Sequence, residues 1–494
     1  MPESLHTVAV VRHNLRKQEK FTVYNLRKQE NIFNKQNIGI LCISVKRKIY
    51  DTLIQWKKET QGRSALLVEG ARRVGKSYIV EEFAKNEYAS YVFINFSNTT
   101  PRIRNLFIDD VHDIPLLLQK LSNLTATRFI ERDTLIVFDE IQECPKAREA
   151  IKFLVEDGRY DYIETGSLIS IHENVSDIII PSEEEKISMH PMDFEEFCWA
   201  IGDEVTVPAI RQHFESITPF GRDIHASFMD TFRRYMIVGG MPQAVEEYAT
   251  TRDFAKVERV KRRIISLYKE DIGKRAKTNR RKTSALYEAI PAELSKHDKV
   301  FNLADVDPNG KFSNYEDPIY WLEDSRIVNT CYNSNEPSIM LGLNRDLSTM
   351  KMYSADTGLL ISMAIDNGIS MENEIYIDIL QDRLHLNEGM FAENVVAQML
   401  KANGHKLFFH AFYKNTGDGN RSKNRSEIDF LIRRGGKISA LEVKTGASTR
   451  HASLDYLMDR YSKQLGHCYV LHTKDLKKDG NILYLPIYMT LCLR

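Results

Sequence analysis

The sequence predicts an α/β protein built round a parallel sheet, and two observations carry that prediction. From Val45 onward, apolar runs of strand length alternate with helix-like stretches, the pattern of strands joined by crossover helices. Between the first run, Ala65 to Val68, and the helix-like stretch Tyr78 to Lys85 lies Gly70-Ala71-Arg72-Arg73-Val74-Gly75-Lys76-Ser77, a complete G-x-x-x-x-G-K-[ST]. Open parallel sheets bind ligands at the carboxyl ends of their strands, where this loop falls.

The elements follow in order. Ile49, Leu53, Ile54 and Trp56 share one helical face ahead of the loop. Beyond it, Tyr91 to Phe96 (YVFINF) reads as a second strand, Ile114 to Leu124 as a helix, Leu135 to Phe138 as a third strand and Tyr162 to Glu164 as a fourth. Around Asp193 to Ala200 (DFEEFCWA) the strand pattern gives way, and residues 207 to 300 predict helices, broken at Tyr235 to Pro242 (YMIVGGMP) by two glycines and a proline. Residues 313 to 356 read as a winged-helix-like unit: a helix at Tyr315 to Glu323, a strand at Ile327 to Cys331, a polar loop and a returning strand at Met350 to Tyr353. Such units bind DNA in some proteins and contact other proteins elsewhere. An amphipathic helix at Phe391 to Leu400 precedes a hairpin of Ile428 to Ile432 with Ile438 to Val443, turning through Arg434-Gly435-Gly436.

At 494 residues, and with about 150 residues per domain, the chain needs several cores. The pattern divides it into a flexible basic tail (1–42), a P-loop domain (43–200), a helical lid (201–300), a winged-helix-like segment (301–385) and a carboxyl-terminal α/β domain (386–494). The tail carries L-R-K-Q-E twice, at Leu15 to Glu19 and Leu26 to Glu30, a repeat too short to build a core. It reads as a solvated tail or as an arm touching nucleic acid or a partner.

Composition narrows the partners. With 68 basic against 68 acidic residues the chain has no net charge, so nothing global marks a polyanion ligand, although a local basic groove could still bind one. Lys261, Arg262, Arg263, Lys269, Lys274, Arg275, Lys277, Arg280, Arg281 and Lys282 crowd one helical stretch, either a solvated helix face or a phosphate-tracking one. Cys42, Cys144, Cys198, Cys331, Cys468 and Cys492 lie far apart with no C-x-x-C pair and read as reduced thiols. No apolar run approaches the ~18 residues of a membrane span, and no signal-peptide order precedes the first strand; a cytoplasmic protein is expected. Fourteen histidines form no H-E-x-x-H, and neither G-x-S-x-G nor G-x-G-x-x-G is present, which argues against zincin, α/β-hydrolase and dinucleotide chemistry.

The glycine loop asks for these residues at this spacing. Backbone N–H groups from Gly70, Ala71, Arg72, Arg73, Val74 and Gly75 curl round a β-phosphate, Lys76 supplies a point charge, and the Ser77 hydroxyl reaches Mg²⁺, with Tyr78 following on the helix. The expected cofactors are ATP and Mg²⁺. Asp139 and Glu140 end the apolar run Leu135 to Phe138, and carboxylates there imply a partner. Asp139 reads as the acid that holds Mg²⁺ through water, and Glu140 as the base for the attacking water. Thr165 or Ser167, in T-G-S after the fourth strand, could reach the γ-phosphate; Thr165 is preferred.

G-A-R-R-V-G-K-S, F-D-E-I-Q, T-G-S, P-M-D-F-E-E-F (Pro191 to Phe197) and G-G-M-P (Gly239 to Pro242) occur in that order. Together they resemble a family of prokaryotic AAA+ ATPases whose carboxyl-terminal half is a domain of unknown function. The resemblance spans roughly residues 45 to 490 and implies ATP hydrolysis, a sensor residue at Thr165 or Ser167, and an arginine finger, for which Arg233 and Arg234 are the candidates. Many members carry Gly-Arg shortly before P-x-x-F-x-E-F, whereas this chain has Ser182, Glu183, Glu184, Glu185 and Lys186; the departure leaves an arginine contact, and assembly into a homo-oligomer, open.

A second constellation lies near the carboxyl terminus: Glu393 on the amphipathic helix, Asp429 in E-I-D-F-L-I, and Glu442-Val443-Lys444. Alternation along a strand puts Glu442 and Lys444 on one face, and the hairpin sets Asp429 beside them. Carboxylates with a lysine can hold Mg²⁺ and position a water against a phosphodiester. The set resembles the PD-(D/E)XK nuclease fold, which implies Glu393, Asp429 and Glu442 as metal ligands and Asp429, Glu442 and Lys444 as catalytic residues. The expected fold class is therefore α/β: a P-loop AAA+ type parallel sheet with a helical lid, a winged-helix-like segment and a nuclease-like α/β domain. Two functions follow. One couples ATP hydrolysis at Lys76, Ser77, Asp139 and Glu140 to a nuclease-like domain acting on DNA; the other makes that domain an inactive regulatory or docking unit for another protein.

Overall fold

The computed structural model describes residues 46–166, 182–276, 279–365, 376, 388–415, 421–446 and 451–494. The tail 1–42, Ser167 and Lys277 lie outside the described residues.

Helix α1 (Ile49–Thr60) leads into β1 (Ala65–Glu69), followed by α2 (Lys76–Glu87), β2 (Ser90–Asn95), α3 (Pro101–Asp109), α4 (Ile114–Thr125), β3 (Thr134–Asp139), α5 (Pro145–Asp157), β4 (Asp161–Gly166) and β5 (Glu184–Ser188). All five strands are parallel, in the order β2-β3-β4-β1-β5. β4 thus lies between the strand entering the glycine loop and the strand ending on Asp139. β1 and β3 are buried along their whole length, as strands covered on both faces must be. On one face Leu67, Ile136 and Phe138 pack with Leu117, Leu121, Ile151 and Leu154; α2 lies against β2, β3 and β4. β5 was not foreseen: its sequence, E-E-K-I-S, carries no apolar run. An edge strand with one neighbour tolerates such charge.

The predicted helical region is α6 (Phe194–Ala200), α7 (Thr206–Ser216), α8 (Arg222–Val238), α9 (Pro242–Thr251), α10 (Phe254–Arg275) and α11 (Arg280–Ser295). Asp193 and Glu196 form a capping box that starts α6. The G-G-M-P turn joins α8 to α9, and two backbones cross there. A Cβ on Gly240 would lie 2.1 Å from Met192 O, so only glycine fits. Gly240 N donates to Asp356 Oδ2 at 2.5 Å, while Asp356 Oδ1 accepts Leu359 N at 2.9 Å.

The remainder comprises α12 (Leu303–Val306), α13 (Phe312–Asp324), β6 (Val328–Ser334), β7 (Arg345–Ser354), α14 (Thr357–Ala364), α15 (Glu388–Ala402), β8 (Phe408–Asn415), β9 (Arg421–Arg434), β10 (Lys437–Lys444), α16 (Ala452–Arg460), β11 (Leu465–His472), β12 (Lys477–Asp479) and β13 (Ile482–Pro486). Its strands form one mixed sheet, β12-β13-β11-β10-β9-β8-β6-β7. β6 and β7 make the expected antiparallel hairpin, but β6 also runs parallel to β8 through Tyr332 and Asn333. The hairpin is therefore an edge of the carboxyl-terminal sheet, not a free-standing wing. Its connecting loop exposes Ile339, Met340 and Leu343. β9 and β10 pair as a hairpin, Lys437 opposite Arg434 and Leu441 opposite Phe430, so Arg434, expected in the turn, is paired and the turn is Gly435-Gly436 alone; α16 carries the chain across to parallel β11.

Candidate functional site

The glycine loop is pinned from several sides. β1 delivers Gly70 against the segment after β5, where a Cβ would lie 2.3 Å from Met189 O. α2 starts at Lys76, so its free backbone N–H groups point into the loop's hollow, a ready place for phosphate. Lys76 Nζ donates to Gly70 O at 2.8 Å and Ala71 O at 3.0 Å. Burial pushes this ammonium below the ordinary lysine value, against the pull of Glu140 and Asp139. Ala71 and Val74 are buried, whereas Arg72, Arg73 and Tyr78 are exposed.

Asp139 closes β3 opposite Asn95, the last residue of β2. Its Oδ1 accepts Ser77 Oγ at 2.7 Å and also the Thr165 hydroxyl, and its Oδ2 accepts Asn95 Nδ2 at 2.6 Å. Ser77, Asp139 and Thr165, predicted from separate stretches of sequence, thus meet on one carboxylate. Glu140 adopts a left-handed backbone, φ 53°, which costs a side-chain-bearing residue about 1–2 kcal/mol and is the kind of strain found at functional sites. Gln142 Nε2 donates to its carboxylate. The Ser77 hydroxyl and the Asp139 carboxylate are hard oxygen donors of the type Mg²⁺ takes, directly or through water; the pair fits the ion that the loop implies.

The contacts of three residues here, Arg47, Tyr268 and Asp271, were not legible in the sequence. Arg47 donates to Val74 O at 2.8 Å and His190 O at 2.7 Å, with Nε 3.1 Å from Glu196. From α10, Tyr268 donates to Arg72 O at 3.0 Å and Asp271 pairs with Arg72 at 2.7 Å. The lid therefore touches the loop directly. Arg234, a candidate finger, pairs with Asp230 one turn back at 2.5 Å on an exposed helix face. In the basic stretch, Lys261 is fully buried, donating to Ile237 O at 2.9 Å, and Arg262, Lys269 and Lys274 pair with Glu258, Glu288 and Glu270. These four of the ten cations of that stretch are thus engaged within the protein.

The second constellation also assembles, with an addition. Asp429 Oδ2 accepts Val443 N at 2.8 Å, and Lys444 Nζ lies 2.9 Å from Glu442 Oε2. Glu393, on α15, does not face them alone. Its Oε1 accepts Lys351 Nζ at 2.9 Å and Tyr353 OH at 2.5 Å, and its Oε2 pairs with Lys299. Lys351 also pairs with Glu427 and lies 3.9 Å from Asp429 Oδ1. Burial would raise the Glu393 carboxyl, but Lys351 and Lys299 hold it at about 2. Asp429 is pushed up by burial and then by Glu393, and Glu442 by burial against the pull of Lys444. Among the described residues no three Asp, Glu, His or Cys side chains are arranged to hold a metal. Of the three carboxylates expected as Mg²⁺ ligands, Glu393 has both oxygens engaged by Lys351, Tyr353 and Lys299, while Asp429 and Glu442 each have one oxygen engaged, by Val443 N and beside Lys444.

Residues 62–198 match the AAA domain family, residues 229–371 the domain of unknown function DUF8612, and residues 388–489 the domain of unknown function DUF4143. No curated protein matches the chain. Among solved structures, the Orc1 protein of Aeropyrum pernix in complex with DNA is 12% identical, covering 66% of this chain and 95% of its own, with a TM-score of 0.26. A STAND protein with a tetratricopeptide repeat sensor from Pyrococcus horikoshii is 11% identical, covering 72% and 48%, at 0.24. Drosophila ORC bound to DNA is 12% identical, covering 69% and 96%, also at 0.24. Overlaps this loose say nothing about what this chain binds. Also among the described residues, no helix is long and apolar enough to cross a membrane. Sheet order, glycine loop and family match agree that residues 62–198 are a P-loop AAA+ type domain.

Proposed function

We propose that the protein binds ATP with Mg²⁺, hydrolyses it, and passes the change through the helical lid to its carboxyl-terminal half. One observation carries the reading: Ser77, Asp139 and Thr165, from α2, β3 and β4, converge beside Lys76 at the mouth of the loop. The α2 N-terminus and Lys76 bind and orient the phosphates. Glu140, one residue beyond Asp139, accepts the proton of the attacking water; Thr165 stands ready to orient that water or the γ-phosphate. Mg²⁺, when held by Ser77 and Asp139, supplies charge neutralisation on the phosphate oxygens. Tyr268 and Asp271 sit on the loop itself, so a nucleotide that reshapes the loop also displaces α10.

Equilibrium nucleotide binding and steady-state turnover test this. Lys76→Ala is expected to lose ATP binding, and Glu140→Gln to retain bound ATP with turnover reduced by at least about 100-fold. Full ATP affinity in Lys76→Ala would sink the site.

Of the two roles open to the carboxyl-terminal half, the non-cleaving one, a regulatory or docking unit, has the better support, because its carboxylates are already paired with lysines. The protein should leave single- and double-stranded DNA intact in Mg²⁺ or Mn²⁺. Metal-dependent cleavage that disappears in Asp429→Asn would reinstate the nuclease.

A further inference from the structure

Lys351, like Lys261, is a wholly buried lysine. It sits on β7 between Met350 and Met352, both buried. An ammonium there must be matched by anions, since an unpaired buried charge costs several kcal/mol. Three carboxylates from two other elements provide the match: Glu393 of α15 at 2.9 Å, Glu427 of β9, and Asp429 of β9 at 3.9 Å. The ring of Phe409, 5.2 Å from Nζ, covers another side.

These pairings leave few carboxylate oxygens open to an ion. Glu393 Oε1 is taken by Lys351 and Tyr353, and Oε2 by Lys299. Glu427 Oε1 is taken by Lys351 and Asp429 Oδ2 by Val443 N–H, Asp429 Oδ1 faces Lys351 at 3.9 Å, and Lys444 Nζ stands 2.9 Å from Glu442 Oε2. A divalent cation needs several such oxygens turned toward it at once. To enter, it would have to displace Lys351, which has no solvent to retreat into and no other carboxylate within reach than those the ion would claim.

We infer that Lys351 is the resident counter-cation of this cluster, occupying the role that the nuclease resemblance gives to a divalent metal, so that the cluster is an ion-paired clamp joining β7 to α15 and β9. Burial alone would lower the Lys351 ammonium, but Glu393, Glu427 and Asp429 together hold it well above its ordinary value. The inference supports the non-cleaving reading but is separable from it: a chain can fail to cleave DNA for many reasons, whereas metal binding reports on the cluster itself.

The test is Mn²⁺ binding to the full-length protein without nucleotide, followed by electron paramagnetic resonance, in the wild type and in the near-isosteric Asp429→Asn and Glu442→Gln. Up to about 1 mM Mn²⁺, the weak end of carboxylate sites, the three proteins should bind the same number of ions. Either result, no bound ion or an ion that persists in both variants, agrees with a lysine-filled cluster. A bound ion that either substitution removes overturns it, whatever the nuclease assay shows.

Discussion

Asp139 has 2% of its surface exposed, and a carboxylate so placed must find donors for its oxygens. Ser77, Thr165 and Asn95 supply them. Lys76, Ser77 and Asp139 were legible in the sequence because phosphate and Mg²⁺ chemistry restricts both residue type and spacing. Asn95 was not, since it falls inside the apolar run Y-V-F-I-N-F and gains its meaning only from the parallel register that sets it opposite Asp139. A partner that orients a metal-holding carboxylate typically accounts for about 10–100-fold in metal affinity or activity. Asn95→Ala should therefore raise the Mg²⁺ concentration for half-maximal ATP turnover about tenfold, with nucleotide affinity in EDTA unaltered. A Mg²⁺ titration beside a chelated binding assay checks this; an unmoved Mg²⁺ dependence would dismiss Asn95.

At the scale of elements, legibility followed burial. β1 and β3 announce themselves because burial on both faces demands continuous apolar runs. β5 hides in charged residues because the sheet edge permits them. The hairpin of β9 and β10 was readable from alternating runs on either side of two glycines, although Arg434, expected in the turn, pairs with Lys437 instead. What could not be read was the company of Glu393. M-K-M-Y looks like a strand with one solvated lysine, and nothing local says that α15 and β9 cover that lysine with acids. Removing one partner of a buried ionic group costs about 3–5 kcal/mol. Lys351→Met, close in volume but without charge, is expected to lose that much in urea unfolding; a loss below about 1 kcal/mol, the range of exposed pairs, would mean the clamp does not hold the sheet edge.

For the whole molecule, the question is how a nucleotide event reaches the carboxyl-terminal half. Gln398 of α15, one turn from Glu393, donates to Tyr235 OH at 3.0 Å, and Tyr235 OH donates to Met192 O at 3.0 Å. Met192 N in turn bonds Gly240 O at 2.7 Å, and Met189 N bonds Glu69 O, at the foot of the loop, at 2.7 Å. Arg326, beyond the lid in sequence, pairs with Glu69 at 2.6 Å. No sequence pattern reveals such links, because their members lie far apart in the chain and each is unremarkable alone. Tyr235→Phe leaves Gln398 Nε2 without its acceptor, a cost of about 1–3 kcal/mol. ATP should alter hydrogen exchange in α15 of the wild type, and that response should shrink in Tyr235→Phe while ATP affinity stays within about threefold, under 1 kcal/mol. An equal response in both would take Tyr235 out of the relay.

The carboxylate of Asp356 caps α14 with one oxygen and closes the G-G-M-P turn with the other, 116 residues away in sequence. Neither segment can keep that oxygen pair without its counterpart. A recombination that joined the P-loop domain together with its lid to a foreign carboxyl-terminal partner would deprive the Gly240 N–H of its acceptor, and Lys261 of the Gly358 carbonyl it also uses. The heritable block here runs at least from the glycine loop through α14, and swapping parts at the end of the helical lid would cut through it.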